Sequence, residues 1–259
     1  MEPKTYIDFK DREYGGKDKF ANFDDVDTII PHGGGLESMA ALAWAVDTGR
    51  KPLVWTDLIA DRPGTHNLVL GARKSSMYFK VPFILSTNTI PMKSINFPAG
   101  FINIDNIVKL IVGNPQWKIK EIVFGTNTED SGQQRGMLKN IQRNVEMVRN
   151  MEWDIHGLQW EKKIDTPIMI FPFEHNTKSE IYSFIQRKHP TLIDCAWTCM
   201  TPIQVEDDKR WLPCGKCSKC IEYKAAKQCA AAAITGMLYT RPRSFARQNV
   251  MWTIMFLHL

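Results

Sequence analysis

The stretch Ile29-Ile30-Pro31-His32-Gly33-Gly34-Gly35-Leu36-Glu37-Ser38-Met39-Ala40 carries the pattern from which the architecture follows. A β-branched run stops at a proline, three consecutive glycines follow, and Leu36, Met39, Ala43 and Val46 then recur at helical spacing. The stretch therefore reads as strand, tight turn and helix. Glycines let backbone amides approach an anion closely, the Ser38 hydroxyl adds a donor, and a helix N-terminus contributes roughly +0.5 elementary charge. Two readings of the turn are open at this point: an anion cradle, or a strand-to-helix turn that uses glycine only for backbone freedom. Neither the Gly-Lys-Ser/Thr ending of a Walker-type loop nor a Gly-x-Gly-x-x-Gly pattern is present.

Working outward, Thr28–Pro31, Pro52–Thr56, Val81–Ser86, Glu121–Gly125 and Pro167–Phe171 are short apolar runs bounded by polar or turn residues, as strands are. Ile104, Ile107, Val108 and Ile111 fall at helical spacing, and Thr177 with Glu180 predicts a capping box that opens a helix through Ile181, Phe184 and Ile185. Near-continuous apolar strands alternating with helices imply a parallel sheet covered on both faces, so the predicted class is doubly wound α/β. The first 26 residues read as a peripheral extension with one strand near Tyr6 to Phe9. Beyond about Pro190 the alternation gives way to cysteines, prolines and lysines. The expected organisation is an extension over 1–26, a nucleotide-binding α/β unit over 27–190 and a C-terminal region over 191–259 in which Ala225 to Ala233 favours helix.

With 259 residues, 44% of them hydrophobic and 24% charged, the composition is that of a folded globular protein and excludes a disordered chain. The longest apolar tract, Val250 to Leu259, is interrupted by Thr253 and His258 and is about half the ~20 residues a spanning helix needs. The beginning, Met1-Glu2-Pro3-Lys4, leads into acidic and lysine-rich sequence rather than an apolar leader, so a cytoplasmic protein is expected. A net charge of +5 suits an anionic ligand such as a nucleotide or RNA, without the charge density of a nucleic-acid-coating protein. The basic tail with Arg241, Arg243 and Arg247 reads as a solvated face or as an anion contact.

Of the six cysteines, Cys195, Cys199, Cys214, Cys217 and Cys220 crowd into one window. Close spacing of this kind in a reducing compartment reads as a metal site before it reads as disulfides. Cys214, Cys217 and Cys220 supply three thiolates at two-residue gaps, with Cys199 or Cys195 as the fourth. Four sulfurs suit tetrahedral zinc in a closed, structural site; an iron–sulfur cluster and a redox pair are the competing readings. Cys229, inside the alanine-rich segment, reads as an inert core thiol, and His32 as a packed or solvated histidine beside the turn.

Taken together, the strand, glycine-rich turn and helix, the Trp197-Thr198-Cys199 segment and the Cys214-x-x-Cys217-x-x-Cys220 finish resemble the 7-cyano-7-deazaguanine (preQ0) synthase family, within the pyrophosphatase-loop ATP-using superfamily. The resemblance runs from about Asp27 to Lys227. The family's Ser-Gly-Gly-Leu-Asp-Ser is similar to Gly33-Gly34-Gly35-Leu36-Glu37-Ser38, and its Gly-x-Asn…Asp-x-Ser-Gly…Arg stretch to Gly125, Asn127, Asp130, Ser131, Gly132 and Arg135. Its Pro-Phe and lysine-led helix resemble Pro172-Phe173…Lys178. Gly33 stands where the family has Ser, and Glu37 where it has Asp. Its Tyr-Gly-Gln-Arg and Pro-Gly-Arg-Asn stretches have no clear counterpart near Thr56-Asp57-Leu58 and Pro98-Ala99-Gly100-Phe101. A divergent member is implied.

What the resemblance implies is an adenine nucleotide alpha hydrolase-like fold and ATP-dependent, Mg2+-assisted conversion of 7-carboxy-7-deazaguanine and ammonia to the nitrile, through an adenylated carboxylate and an amide. Gly33, Gly34, Gly35, Leu36, Glu37, Ser38, Gly125, Asn127, Ser131 and Arg135 would bind nucleotide, with Glu37 at Mg2+ or orienting the turn. Ser38, Asp130 and Lys178 would be the catalytic set, and Cys199, Cys214, Cys217 and Cys220 would hold a structural Zn2+. A homodimer is implied, with no membrane partner and no required nucleic acid. Three alternatives stand beside this: a relative that stops at the amide or conjugates the base to a macromolecule; tRNA thiolation, which would need Cys195 or Cys229; and a non-catalytic zinc protein that binds nucleotide or RNA.

Overall fold

In a computed structural model of the chain, residues 25–57, 64–86, 111, 117–130, 136, 139–140, 142–143, 154–155, 158–159, 167–205 and 211–234 are described. The strands are β1 (Thr28–Pro31), β2 (Pro52–Asp57), β3 (Phe83–Ser86), β4 (Glu121–Val123), β5 (Asp154–Ile155), β6 (Leu158–Gln159), β7 (Ile168–Ile170), β8 (Ile203–Gln204) and β9 (Trp211–Leu212). The helices are α1 (Leu36–Asp47), α2 (Thr65–Phe79), α3 (Lys178–Lys188) and α4 (Ser218–Ile234), with a 3-10 segment over Pro190–Cys195.

β3-β2-β1-β4-β7 form a five-stranded sheet whose pairs are all parallel, so the predicted α/β class is what the chain adopts. The register sets Ile29 against Leu53 and Ile122, and Ile30 against Val54. Side chains alternate across a strand. Ile29, Leu53, Trp55, Ile122 and Met169 accordingly fill one face, while Ile30, Val54 and Val123 pack the other against Leu42 and Ala45 of α1 and Ala72 of α2. Burying each such aliphatic side chain is worth about 1.5–3 kcal/mol.

α1 is buried on two sides. Ala41, Leu42 and Ala45 meet the sheet, whereas Leu36, Met39, Ala40 and Ala43 meet Ile181 and Ile185 of α3 and Ala226 and Ala230 of α4. Alanines at these positions let three layers close on a thin helix. α3 begins where expected: the Glu180 amide donates to Thr177 Oγ1, and the Thr177 amide donates to Glu180 Oε2 at 2.7 Å.

The strand bounds differ from the sequence reading at several ends. β3 starts at Phe83 because Lys80 closes α2 in the left-handed region (φ 54°) and the Val81 amide still donates to Ser76 at 3.0 Å. β2 runs on to Asp57, which pairs with Ser86. β4 stops at Val123 because the chain then turns against α1, and β7 spans only Ile168–Ile170 because Phe171 enters a turn closed by the Glu174 amide. Ile111 is helical and buried; the remainder of that predicted helix and the strand near Tyr6 lie outside the described residues. No helix among the described residues is long and apolar enough to cross a membrane.

Candidate functional site

Reading outward from β1, the chain passes to β2 and β3 on one side and to β4 and β7 on the other, so direction reverses between β1 and β4. In open α/β sheets the crevice beyond the strand C-termini at such a reversal is the usual ligand position. Two segments border it here: His32 to Gly35 after β1, and Phe124 to Asp130 after β4.

The glycine turn is shaped by its neighbours. Gly34 has φ +73°, and a Cβ there would lie 2.3 Å from the Leu68 carbonyl oxygen of α2. Its carbonyl accepts from the Trp197 amide at 2.8 Å. Gly71, in mid-helix, is required for the same closeness: a Cβ on it would sit 2.6 Å from the Cys195 carbonyl oxygen and 3.2 Å from that of Gly34. Gly33 has nothing within 4 Å. Gly35 caps α1 with no side-chain hydrogen bond, so the first-turn amides of Leu36, Glu37 and Ser38 have no acceptor from a capping side chain.

His32 is buried, and burial alone pulls its imidazole down to about 3, so it is neutral at physiological pH. The Gly34 amide donates to Nδ1 at 3.0 Å, which places the proton on Nε2 and removes that amide from the groups able to meet an anion. Ser38 Oγ lies 3.3 Å from Nδ1 and donates to the Gly35 carbonyl at 3.1 Å. His32 is thus a packed residue that holds the turn.

The second segment is bound tightly to the first. A Cβ on Gly125 would fall 2.1 Å from the Glu37 carbonyl oxygen, so only glycine admits α1 at this distance. Asn127 Oδ1 accepts from the amides of Glu129 (2.7 Å) and Asp130 (3.0 Å), its Nδ2 donates to Glu37 Oε1 (3.2 Å), and Asp130 Oδ2 accepts from its amide (2.9 Å). Ser131 and Arg135 lie outside the described residues.

Lys178 closes the arrangement. It is the first residue of α3, where the helix dipole disfavours a cation, yet it is 1% exposed. Its Nζ lies 2.7 Å from Glu37 Oε1 and 2.8 Å from Glu222 Oε2, which occupies two of its three protons. Burial pushes the amine down, but Glu37 and Glu222 outweigh it and hold Lys178 above its ordinary value. Burial likewise pushes Glu222 up and is outweighed by Lys178 and Lys219, the latter at 3.1 Å, so that carboxylate stays charged. Asp130 is shifted upward by burial, with the charge of Glu37 adding to it against the pull of the Asn127 amide and both lysines.

Cys199, Cys214, Cys217 and Cys220 form one group whose sulfurs all lie within 4.8 Å of one another, and Cys199 Sγ is 4.0 Å from Cys217 Sγ. A single ion with 2.3 Å bonds to four sulfurs spaces them about 3.8 Å apart. Sulfurs gripping a four-iron core must spread wider, because the core lies between them. The Thr201 hydroxyl, 3.3 Å away, draws the Cys214 thiol down to about 6, whereas burial pushes Cys220 up to about 12. Four sulfurs this close are stable as thiolates only around a cation, so the set fits a bound metal. Cys195 is outside the group, and burial raises its thiol above the ordinary value; Cys229 is half-buried in α4.

Glu222 and Gly71 are site residues that reading the sequence did not single out, whereas Trp197 and Lys219 stand in the motifs around the cysteines without their contacts to Gly34 and Glu222 being legible there. Only Gly71 carried a local signal, as an isolated glycine inside a helix.

No protein-family model matches the chain, and no curated protein matches it in sequence. Among solved structures it is similar to a U34-tRNA thiolase with its 4Fe–4S cluster from Methanococcus maripaludis, at 12% identity and TM-score 0.43 over 87% of this chain and 75% of the other. It is also similar to an NMN synthetase from Francisella tularensis (13%, 0.34, 64% and 62%). A third is a predicted subunit of tRNA methyltransferase from Methanocaldococcus jannaschii (12%, 0.32, 81% and 88%). Likenesses this loose assign neither substrate nor chemistry.

Proposed function

We propose that the chain is an ATP-using enzyme of the pyrophosphatase-loop type that adenylates a carboxylate, and that its substrate is 7-carboxy-7-deazaguanine, converted with ammonia to the nitrile. The observation that carries this reading is the glycine turn opening α1 at the sheet's reversal point, packed without a gap on Gly125. The motifs at Gly33–Ser38, Gly125–Arg135, Lys178 and the four cysteines support the choice of substrate through their resemblance to the synthase family.

In this reading the carboxylate oxygen attacks the α-phosphorus of ATP, the bond to the β-phosphate oxygen breaks, and pyrophosphate leaves. Ammonia then attacks the acyl carbon and AMP departs. A second round activates the amide oxygen in the same way, and loss of AMP and both nitrogen-bound protons leaves the nitrile. The protein's task is to align these groups and to match charge as it develops. The amides of Leu36, Glu37 and Ser38 serve the phosphates, and the Ser38 hydroxyl joins them by giving up its bond to the Gly35 carbonyl. Glu37 uses Oε1 for Lys178 and Asn127, which leaves Oε2, turned toward Gly35, as the oxygen able to face Mg2+. The third proton of Lys178 is its remaining donor. Asp130, held by the Asn127 amide, borders the same crevice.

The four cysteines would hold one zinc ion as a structural site; the spacing of the sulfurs favours a single ion over a cluster. Thiolation would call on Cys195 or Cys229, and burial raises the Cys195 thiol above its ordinary value, which disfavours it as a nucleophile. The test is incubation with Mg-ATP, ammonium and 7-carboxy-7-deazaguanine while AMP and product mass are followed. A nitrile is expected. An amide alone would identify a truncated reaction, and nucleotide binding without turnover would overturn the enzymatic reading.

A further inference from the structure

The two segments that carry the cysteines reach the glycine turn and the first turn of α1, one directly and the other through Lys178. From the Cys199 side, Trp197 donates its amide to the Gly34 carbonyl at 2.8 Å. On the Cys220 side, Glu222 Oε2 lies 2.8 Å from Lys178 Nζ, and that ammonium reaches Glu37 Oε1 at 2.7 Å. Both connections are short in sequence, because Trp197 stands two residues before Cys199 and Glu222 two residues after Cys220. α4 itself starts from the cysteines, with the Ile221 amide donating to the Cys217 carbonyl at 3.0 Å.

These contacts are selective for geometry. The Lys178 side chain is 2% exposed, so its charge is desolvated and stays favourable only while both carboxylates are in place. Gly34 is held in the left-handed region against Leu68, and Gly71 brings the Cys195 carbonyl beside it. A shift of either cysteine segment therefore breaks a contact to the turn without any change in the turn's own sequence.

We propose that Glu222 and Trp197 are positioning residues through which the four-cysteine site holds the glycine turn and the first turn of α1 in shape, so that order in the turn depends on the cysteines being drawn together. The inference takes the turn as the phosphate-binding element proposed above, but its first readout does not require that. Glu222 acts only through Lys178 and Glu37.

The experiment compares the full-length wild type with Glu222→Gln and with Lys224→Gln, an exposed position on the same helix. Hydrogen exchange of the peptide spanning Gly33 to Met39 reports the turn. The cobalt–thiolate absorption of Co2+-loaded protein reports the cysteine site, and a non-hydrolysable ATP analogue reports binding. Losing a charge-assisted hydrogen bond of this kind is expected to speed turn exchange and weaken analogue binding about tenfold each in Glu222→Gln. The cobalt band is expected to stay unchanged, and Lys224→Gln to move neither readout. Removing the metal from wild type is expected to speed turn exchange likewise. Unchanged turn exchange in Glu222→Gln or on metal removal would overturn the proposal. So would loss of the cobalt band in Glu222→Gln, which would make that residue part of the cysteine site, or an equal effect of Lys224→Gln. Faster turn exchange with no analogue bound by any form would support the tether while overturning the nucleotide reading.

Discussion

Gly33, Gly34 and Gly35 are adjacent, yet the space around them imposes different constraints. Gly34→Ala would place a side chain at φ +73° and 2.3 Å from the Leu68 carbonyl, so a loss of about 2 kcal/mol or more in urea unfolding is expected. Gly33→Ala meets nothing within 4 Å and is expected to stay within about 0.5 kcal/mol of wild type. Equal losses would contradict the packing described here. Lys178→Met leaves Glu37 and Glu222 facing each other and is expected to cost about 3 kcal/mol, the low end for a broken buried pair because Glu222 keeps part of its surface in water. The pH dependence has a definite sign. Lys178 is held above its ordinary 10.5, so its contribution is complete below that value and drains away as pH rises through the higher folded value. Unfolding curves across the alkaline range should show this loss in wild type and not in Lys178→Met; parallel curves would contradict it. At this scale the sequence marked Glu37, Ser38 and the cysteines by their spacing in motifs. It did not mark Glu222, nor the contact of Trp197 to Gly34, because the partners lie far along the chain.

α3 shows how local chemistry and distant packing combine in one element. The Thr177–Glu180 box was legible because capping is a matter of a few adjacent residues, and Thr177→Ala is expected to lower stability by about 1 kcal/mol. A melting temperature unchanged by that substitution would show that packing on α1 and α4 alone sets the start of α3. What the capping pattern could not reveal is why a lysine follows the cap: the dipole opposes it, and only the carboxylates of α1 and α4 account for it. α2 was not legible, since it opens on Thr65-His66-Asn67, is capped by Gly64 in the left-handed region and contains Gly71, all weak helix signals. Strand ends shifted where a neighbouring turn took up a backbone group, the Val81 amide before β3 and the Phe171 carbonyl after β7.

Across the whole molecule, the α/β class followed from apolar runs alternating with helical spacing, whereas the order β3-β2-β1-β4-β7 did not, because the partners of a strand are set by crossovers rather than by its own residues. α4, which begins at the cysteine group, packs on the same core that backs α1, with Ala226 and Ala230 beside Leu36 and Met39. Stripping the metal with a chelator is expected to lower the melting temperature by about 10 °C, as loss of a few kcal/mol does in a protein of this size. Elemental analysis should find about one zinc per chain. Iron in its place would contradict the zinc assignment, and a melting temperature indifferent to chelation would contradict the structural role. Attack of a carboxylate on the α-phosphorus of ATP would move a carboxylate oxygen into AMP. Supplying 7-carboxy-7-deazaguanine labelled with 18O in its carboxylate, together with Mg-ATP and ammonium, and weighing the AMP formed reads this out. AMP carrying one 18O is the predicted result; ADP as the nucleotide product, or AMP without label, would contradict it.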